Sequence, residues 1–269
     1  MLALSAALLS LAVAGQTGPA PSEGWTPLFN GRNLDGWYTF LEKHGKDSDP
    51  EKIVTIEDNQ IHLYKHAEDG SRVVMGYIST DREYGDYHFR LKYQWGPKKF
   101  EPRYRMKRDA GLYYHITGPD KVWPRALQFQ IERTNVGDLI TLYGIHTETT
   151  IDPKTRSEKM PTFLPAEQGG QAYDLGGQGV SYLKHLAGDH ELKGWNTVEV
   201  IARGATTTHL LNGRVVARGK AVRLVDPKTP DAPSPVTRGR IALEIEAAEL
   251  FYRDVEIRSL PPEPERGKE

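Results

Sequence analysis

Two neighbouring stretches of the chain carry residue types that could transfer protons. AGLYYHI and, after a turn, ALQFQIE both alternate polar and apolar residues. Read as extended strands, they place Tyr113 and His115 on one side of the first strand. The same reading places Gln128, Gln130 and Glu132 on one side of the second. If the two strands pair as a hairpin, we expect an imidazole and a carboxylate to converge on one ligand, as acid–base catalysis requires.

A second pair of acids lies near the end of the chain, in GRIALEIEAAELF. Glu244 and Glu246 are two residues apart, so an extended strand presents both on the same face. Like charges at that spacing are close enough to raise the pKa of a carboxyl. The intervening Ile245 faces the other way.

The elements that must position these groups are short strands. Runs of period-two alternation are separated by Gly, Pro, Asn and Asp, and long helical periodicity is missing. Asn212-Gly213, between two β-prone runs, predicts a tight hairpin. One apolar face per strand predicts two packed sheets, and therefore an all-β sandwich or barrel. The predicted strands are Ile53 to Ile56, Gln60 to Tyr64, Tyr87 to Trp95, Gly111 to Ile116, Ala126 to Arg133, Asp138 to His146, Asn196 to Arg203, Thr206 to Leu211, Arg214 to Arg218, and Gly239 to Arg258 with a break.

Two long stretches interrupt this pattern, Gly96 to Asp109 and Asp152 to Gly194. Unstructured loops of that length are uncommon in compact domains and are often functional. We expect the second to be an irregular rim or lid, with at most a short helix, that carries Tyr182, His185 and His190.

Composition excludes several classes of function. A chain of 269 residues with 38% hydrophobic residues can form a substantial core. The formal net charge of −1 and the scattered Lys and Arg argue against a nucleic-acid partner. Because there is no cysteine, disulfides, thiolate metal sites and thiol nucleophiles are excluded.

The first residues, MLALSAALLSLAVAGQ, are typical of a secretory signal that ends in small residues. The run is too short to span a bilayer comfortably, although the lack of an early Lys or Arg leaves a mis-set start or an anchor as alternatives. We predict a signal peptide over residues 1–15, a linker over 16–23, one folded domain over 24–260 and a disordered tail over 261–269. The protein is therefore expected to be exported to the periplasm or medium of a bacterium, without membrane contact after the signal is removed.

Several segments taken together resemble one known family. GWTPLFNGRNLDGWY is similar to the opening signature of the 3-keto-disaccharide hydrolase domains. YGDYHFRLKYQWG, RDAGLYYH, GPDKVWPRALQFQIE, GWNTVEV with THLLNGRVV, and GRIALEIEAAELFYRDVEIRSL follow in that family's order, so that the likeness extends over roughly Trp25 to Leu260. Two departures concern substrate contact: Ala110 stands where relatives tend to have Ser, and Glu244 and Ala247 stand where they tend to have Gln and Gly.

The resemblance implies a jelly-roll sandwich like that of concanavalin A-like lectins and glucanases, and activity on an oxidised (3-keto) saccharide or glycoside. The ketone makes the proton on C2 acidic, so a base can remove it and the glycosidic oxygen leaves from C1 by elimination, after which water can add. The predicted catalytic residues are His115, Glu132, His209 and Glu246. The predicted substrate-binding residues are Tyr113, Trp123, Arg125, Gln128, Gln130, Tyr143, Lys92 and Glu244.

The sequence allows alternatives for the metal ion, for the group that stabilises the oxyanion and for the class of function. The four predicted catalytic residues offer nitrogen and oxygen donors that a divalent metal accepts, but no tight ligand spacing is present. Arg125 and Lys92 are alternative stabilisers of an oxyanion that need no metal. The same fold also serves ordinary retaining endoglycanases, whose paired acids EIEAAE imitates, and non-catalytic lectin-like modules.

Overall fold

The computed structural model describes residues 24–261. The predicted signal peptide, the linker and all of the predicted tail except Pro261 lie outside the described residues. The strands are β1 (Thr26–Pro27), β2 (Trp37–Leu41), β3 (Gly45–Lys46), β4 (Val54–Glu57), β5 (Gln60–Leu63), β6 (Gly76–Thr80), β7 (Tyr84–Gly85), β8 (Tyr87–Lys99), β9 (Gly111–Thr117), β10 (Arg125–Gln130), β11 (Leu139–Leu142), β12 (Ile145–Ile151), β13 (Gln171–Gly176), β14 (Val180–Leu183), β15 (Asn196–Arg203), β16 (Thr206–Leu211), β17 (Arg214–Leu224), β18 (Ser234–Pro235), β19 (Arg238–Ile245) and β20 (Ala248–Ser259). Two 3-10 turns, Pro153–Thr155 and Ala166–Gln168, are the helical elements of this range, and neither is long and apolar enough to cross a membrane.

The strands form two antiparallel sheets. Sheet A has the order β13-β12-β17-β16-β15-β8-β20-β5-β4, with β1 added to β20 and β18 to β17. Sheet B has the order β14-β11-β10-β9-β19-β6-β2-β3, with β7 added to β19. The inner faces enclose a single large apolar cluster that includes Phe89, Leu112, Phe129, Val200 and Leu243. This arrangement confirms the predicted all-β jelly-roll sandwich of the concanavalin A-like kind.

The predicted insertion between Asp152 and Gly194 is more regular than expected. It contains β13, which adds an edge strand to sheet A, and β14, which adds one to sheet B. The predicted strand Asp138 to His146 is in fact two strands, because the chain turns at Tyr143 and Gly144, where both residues have positive φ. Two strands that the sequence analysis did not include, β2 and β6, complete the other side of sheet B.

A β-bulge in β9 changes which side chains face the core. Tyr113 pairs with Ala242 and Ile116 with Arg240, so that β9 advances by three residues where β19 advances by two. The extra residue is His115, whose φ of 51° lies in the left-handed region. The strand therefore reverses its alternation at His115. Gly239 is required opposite, because a Cβ there would lie 2.5 Å from the carbonyl carbon of His115.

Candidate active site

The outer face of sheet B carries a continuous row of side chains that turn away from the core. Cross-strand registers connect Tyr38, Ser79, Ala242, Tyr113, Gln128, Ile140 and Tyr182 across seven strands. Since directly opposed residues point to the same side of a sheet, all seven share this face. Glu244, Tyr77 and Phe40 occupy the neighbouring row. Aromatic rings and hydrogen-bonding groups thus alternate along this face, and of the seven connected residues Tyr182 is exposed while the other six are buried.

Three acids gather at one end of this face, and we refer to Asp109, Glu244 and Glu246 as the carboxyl cluster. The hydroxyl of Tyr113 donates a hydrogen bond to Oε1 of Glu244, and Nε2 of Gln128 donates to Oε2 at 2.8 Å. Both oxygens of Glu244 are therefore held as acceptors, and the hydrogen bond from Tyr113 offsets part of the rise in pKa that burial causes. The contact between the side chains of Glu244 and Glu246 lowers the pKa of Glu244 and raises that of Glu246, so the proton is favoured on Glu246.

Arg103 and Gln130 complete the cluster. Nη2 of Arg103 contacts Oε1 of Glu246, and its Nη1 lies 3.4 Å from Oδ2 of Asp109. Nε2 of Gln130 donates to the other oxygen of Asp109 at 2.7 Å. One guanidinium thus faces three buried carboxyls, and this excess of acid means that the cluster must hold protons at pH values where exposed acids have lost them.

Burial and mutual repulsion set the protonation of these acids. Desolvation, followed by the charge of Glu246, raises the pKa of Asp109. Desolvation, followed by the charge of Asp109, raises the pKa of Glu244. The pKa of Glu246 is raised well above its usual value, first by desolvation and then by the charge of Glu244. Acids in this state can donate or accept a proton near neutral pH, as general acid–base catalysis requires.

Gly111 makes this arrangement possible. A Cβ at this position would lie 2.4 Å from Nε2 of Gln128 and 2.5 Å from Oε2 of Glu244. Both distances are shorter than any real Cβ contact, so a side chain here would push apart the atoms of one hydrogen bond. The glycine is needed for the close approach of two side chains and not for an unusual backbone angle.

A second polar group lies towards the opposite end of the same face. Oδ1 of Asp120 accepts hydrogen bonds from the hydroxyls of Tyr38 at 2.7 Å and Tyr77 at 2.9 Å, and from Nη1 of Arg240 at 2.8 Å. Tyr77 also stacks on Phe40, with ring centroids 5.5 Å apart. Glu244 and Arg240 are four residues apart on β19, so about 13 Å of sheet surface separates the two groups.

The structure brings five of the predicted residues together on this face: Tyr113, Gln128, Gln130, Glu244 and Glu246. Glu132 lies at the border of the cluster, where it bonds to Asn135 and lies 3.9 Å from Nζ of Lys107. Its charge contributes to the raised pKa of Asp109 and of Glu246. The catalytic roles of these residues stay predictions.

The predicted convergence of His115 with Glu132 is wrong. The bulge at His115 directs its ring into the core, where it packs edge-on against Tyr87 and Tyr114 at centroid distances of 5.7 and 5.6 Å. His115 also lies near the turn of the β9–β10 hairpin, whereas Glu132 follows the far end of β10, about 20 Å away along the strands. Burial lowers the pKa of His115 to about 4, so the ring is neutral.

The predicted placement of His209 in the same site is also wrong. Its ring lies in the core between the sheets and stacks on Phe129 at 4.6 Å. Nδ1 donates to the carbonyl of Gly137 at 3.2 Å, and Nε2 accepts from the hydroxyl of Tyr114 at 2.8 Å. Burial lowers the pKa of His209 to about 3, so this histidine is a neutral, fully paired part of the core.

The other predicted substrate-binding residues are dispersed. Lys92 belongs to β8 of sheet A, where it forms an ion pair with Asp254 at 2.9 Å, so its predicted place beside the other candidates is wrong. Nε of Arg125 donates to the carbonyl of Tyr143 at 3.0 Å, and both lie at turns bordering sheet B. Trp123 is 39% exposed in the turn between β9 and β10, towards the Asp120 end of the face.

The four residues proposed as metal ligands do not converge. His115 and His209 lie in the core, whereas Glu246 and Glu132 lie at the outer face of sheet B. Over residues 24–261, no group of three or more His, Asp or Glu side chains has an arrangement suited to a metal ion.

Sequence reasoning missed Asp109, Arg103 and Asp120. The first two lie in the predicted loop Gly96 to Asp109, whose first four residues continue β8 and whose last residue precedes β9. Its length was a signal of function, but no alternation identified which of its charges turn towards sheet B. Asp120 lies in the turn between β9 and β10, where an Asp normally serves the turn itself.

The chain is similar to known proteins both in sequence and in fold. A family model described as the 3-keto-alpha-glucoside-1,2-lyase-like domain matches residues 24–258. Two crystal structures of candidate glycosyl hydrolases from Parabacteroides distasonis ATCC 8503 have a similar fold. The structure at 2.00 Å resolution has 17% identity and a TM-score of 0.51, covering 88% of this chain and 99% of the other. The structure at 1.70 Å has 18% identity and a TM-score of 0.52, covering 89% and 95%. No curated protein matches the sequence.

Proposed function

Because the chain belongs to the family of 3-keto-alpha-glucoside-1,2-lyase-like domains, a carbohydrate-active role follows, and we propose that it cleaves 3-keto-glycosides at the outer face of sheet B. The observation that supports this most directly is the carboxyl cluster. It combines an acid whose oxygens are held as acceptors with a neighbouring acid that retains its proton. Elimination next to a ketone needs both a proton acceptor and a proton donor on one face of the sugar.

In the proposed reaction, ionised Glu244 takes the proton from C2, and the electrons of the broken C–H bond form the enolate of the C3 ketone. The enolate then expels the glycosidic oxygen from C1, and protonated Glu246 supplies the proton that this oxygen needs. The products are an unsaturated keto sugar and a free alcohol, and water adding at C1 of the first gives the 3-keto sugar. The hydrogen bond between the two carboxyls allows the proton on Glu244 to return to Glu246.

Neighbouring groups support these roles. Arg103 is a fixed positive charge beside Glu246, and we assign it to stabilise the developing enolate oxygen. Tyr113 and Gln128 keep Glu244 in one orientation, which maintains its basic oxygen in place. Tyr182, whose side chain is 36% exposed, borders the cluster and offers a ring for stacking on the sugar.

The test is incubation of the purified protein with a 3-keto-glucoside in deuterated water, following deuterium at C2 and the absorbance of the enone. We expect Glu244→Gln to abolish exchange at C2, whereas Glu246→Gln should retain exchange but release the alcohol about 10²–10⁴-fold more slowly. Lys92→Met, on the opposite sheet, is the matched control and should behave as wild type. Cleavage that survives loss of both acids would contradict the proposal.

A non-catalytic sugar-binding module is the second candidate, because the tyrosines of the same face would bind a saccharide without any chemistry. That reading requires binding of unoxidised sugars and no turnover of 3-keto sugars. The retaining endoglycanase is disfavoured by the path of the chain. Glu249 belongs to β20 in sheet A, where it accepts from Nε2 of His62 at 2.9 Å, so EIEAAE does not present its acids on one face.

A further inference from the structure

A cavity of about 460 Å³ lies apart from the carboxyl cluster, at the edge where β4 and β5 of sheet A approach the start of β6. Its lining combines two kinds of surface. Ile53, Tyr64 and Val74 form a buried apolar floor. Lys43, Lys52 and Arg72 stand at its exposed border. The volume is within the range of small-molecule sites, which are mostly apolar with a few placed polar groups.

The three cations have no acidic partner. Within residues 24–261, no hydrogen bond or ion pair joins the side chain of Lys43, Lys52 or Arg72 to another residue. The one carboxylate of the lining, Glu51, lies 2.7 Å from Nε2 of His44. Three positive charges around one partnered carboxylate create a field that attracts anions.

The backbone holds these cations in place. Lys43 and Lys52 both have positive φ, at 70° and 52°, and so occupy tight turns. The turn at Lys52 is closed by Asp49, whose two carboxylate oxygens accept from the backbone N–H groups of Ile53 at 2.8 Å and Val54 at 2.9 Å. Residues 71 and 73, which flank Arg72, exchange backbone hydrogen bonds with Glu101. Three separate segments are thus fixed around one space, which lowers the entropic cost of binding.

We propose that this cavity binds a compact ring compound that carries a carboxylate or phosphate, such as a uronic acid or a sugar phosphate. The anionic group binds to the guanidinium of Arg72 and to the two lysine ammonium groups, since a guanidinium pairs with either anion through two parallel hydrogen bonds. The apolar face of the ring lies on Ile53 and Val74. This site is additional to the proposed catalysis and does not depend on it.

The test is NMR titration of the methyl groups of Ile53, Val73 and Val74 with glucuronate, glucose 6-phosphate, glucose and inorganic phosphate. We expect saturable shifts with the two anionic sugars, weaker at high salt, and none with glucose. The two anionic sugars also distinguish carboxylate from phosphate as the preferred group. The titration is run without a 3-keto substrate, so its result is independent of any turnover.

The double variant Lys52→Ala/Arg72→Ala should bind at least about tenfold more weakly, a change of about 1.4 kcal/mol. Lys154→Ala/Lys228→Ala, which removes two exposed lysines elsewhere, should bind as wild type does. Unchanged methyl shifts outside the cavity would show that each variant is folded. Equal affinity in the two double variants would overturn the proposal. Binding of inorganic phosphate as tight as that of glucose 6-phosphate would overturn the assignment of a ring compound.

Discussion

Replacing Glu246 with Gln should change how the stability of the protein depends on pH. The pKa of Glu246 is raised well above its usual value, chiefly by burial, so the folded state keeps a proton that the unfolded chain releases near pH 4.3. The contribution of Glu246 to the free energy of unfolding is therefore greatest below that pH, and it decreases as the pH rises towards the raised pKa of the folded state. Each retained proton lowers the free energy of unfolding by about 1.4 kcal/mol per pH unit.

The size of the effect follows from the proton count. Gln has the shape and charge of a protonated Glu, so Asp109 and Glu244 experience the same field in the variant as beside protonated Glu246. Between pH 5 and pH 7, wild type should therefore lose up to about 2.7 kcal/mol more stability than Glu246→Gln, the limit being one proton retained over two pH units. Urea unfolding followed by tryptophan fluorescence at pH 5, 6 and 7 measures the difference.

A matched control is Glu42→Gln, which removes an exposed carboxylate elsewhere and should retain the wild-type slope. Comparing slopes and not absolute stabilities removes any constant effect of the substitution. Parallel pH profiles for wild type and Glu246→Gln would refute the conclusion that the cluster retains this proton, and with it the role of Glu246 as the acid.

Three further changes separate the site from the core. Gly111→Ala should lower turnover by about 10²-fold, because its Cβ would force Gln128 and Glu244 apart; steady-state kinetics checks this, and unchanged kinetics would show that the contact is dispensable. Tyr114→Phe should leave turnover unchanged but lower the free energy of unfolding by about 1–3 kcal/mol, because His209 and Thr207 lose a buried hydrogen-bond partner. Loss of turnover in a folded variant would show that the hydrogen bond between Tyr114 and His209 takes part in catalysis. Asp120→Asn should raise KM and leave kcat nearly unchanged, because Tyr38 and Tyr77 lose a charged acceptor far from the reacting carbons; an equal fall of kcat would contradict this division.

The alternation of the strands predicted a large part of this structure. Leu127 and Phe129 face the core, and Gln128 and Gln130 face outward, because β10 keeps a strict period of two along this stretch. Glu244 and Glu246 emerge on one side of the sheet for the same reason. The alternation of polar and apolar residues therefore predicted the side of the sheet that each side chain faces, wherever the strand is regular.

The same rule failed at His115, because one inserted residue reverses every side chain after it. Nothing in GLYYHIT marks the bulge, since the residue with positive φ is a histidine and not a glycine. His209 was misplaced for a different reason: its partners, Tyr114 and Gly137, come from distant parts of the chain. A polar side chain satisfied inside the core by such partners cannot be distinguished by sequence from one that faces a ligand.

The sequence alone does not show that Asp109 and Arg103 lie beside Glu246, because their positions depend on the tertiary structure. Both precede β9 in an irregular segment, and their roles depend on how that segment folds back over Glu246. Charges are common in loops, so composition alone gives no reason to prefer these two among their neighbours.

The passage from β19 to β20 takes only two residues, Glu246 and Ala247, although the two strands belong to different sheets. Ala247 is anchored on both sides, since its N–H donates to the hydroxyl of Tyr64 at 3.1 Å and its carbonyl accepts from the N–H of Phe100 at 3.0 Å. Glu246 therefore lies in the segment that connects the two sheets. We expect heating to abolish activity and to separate the two sheets in a single transition. We also expect related proteins to differ in their loops while keeping this connection two residues long.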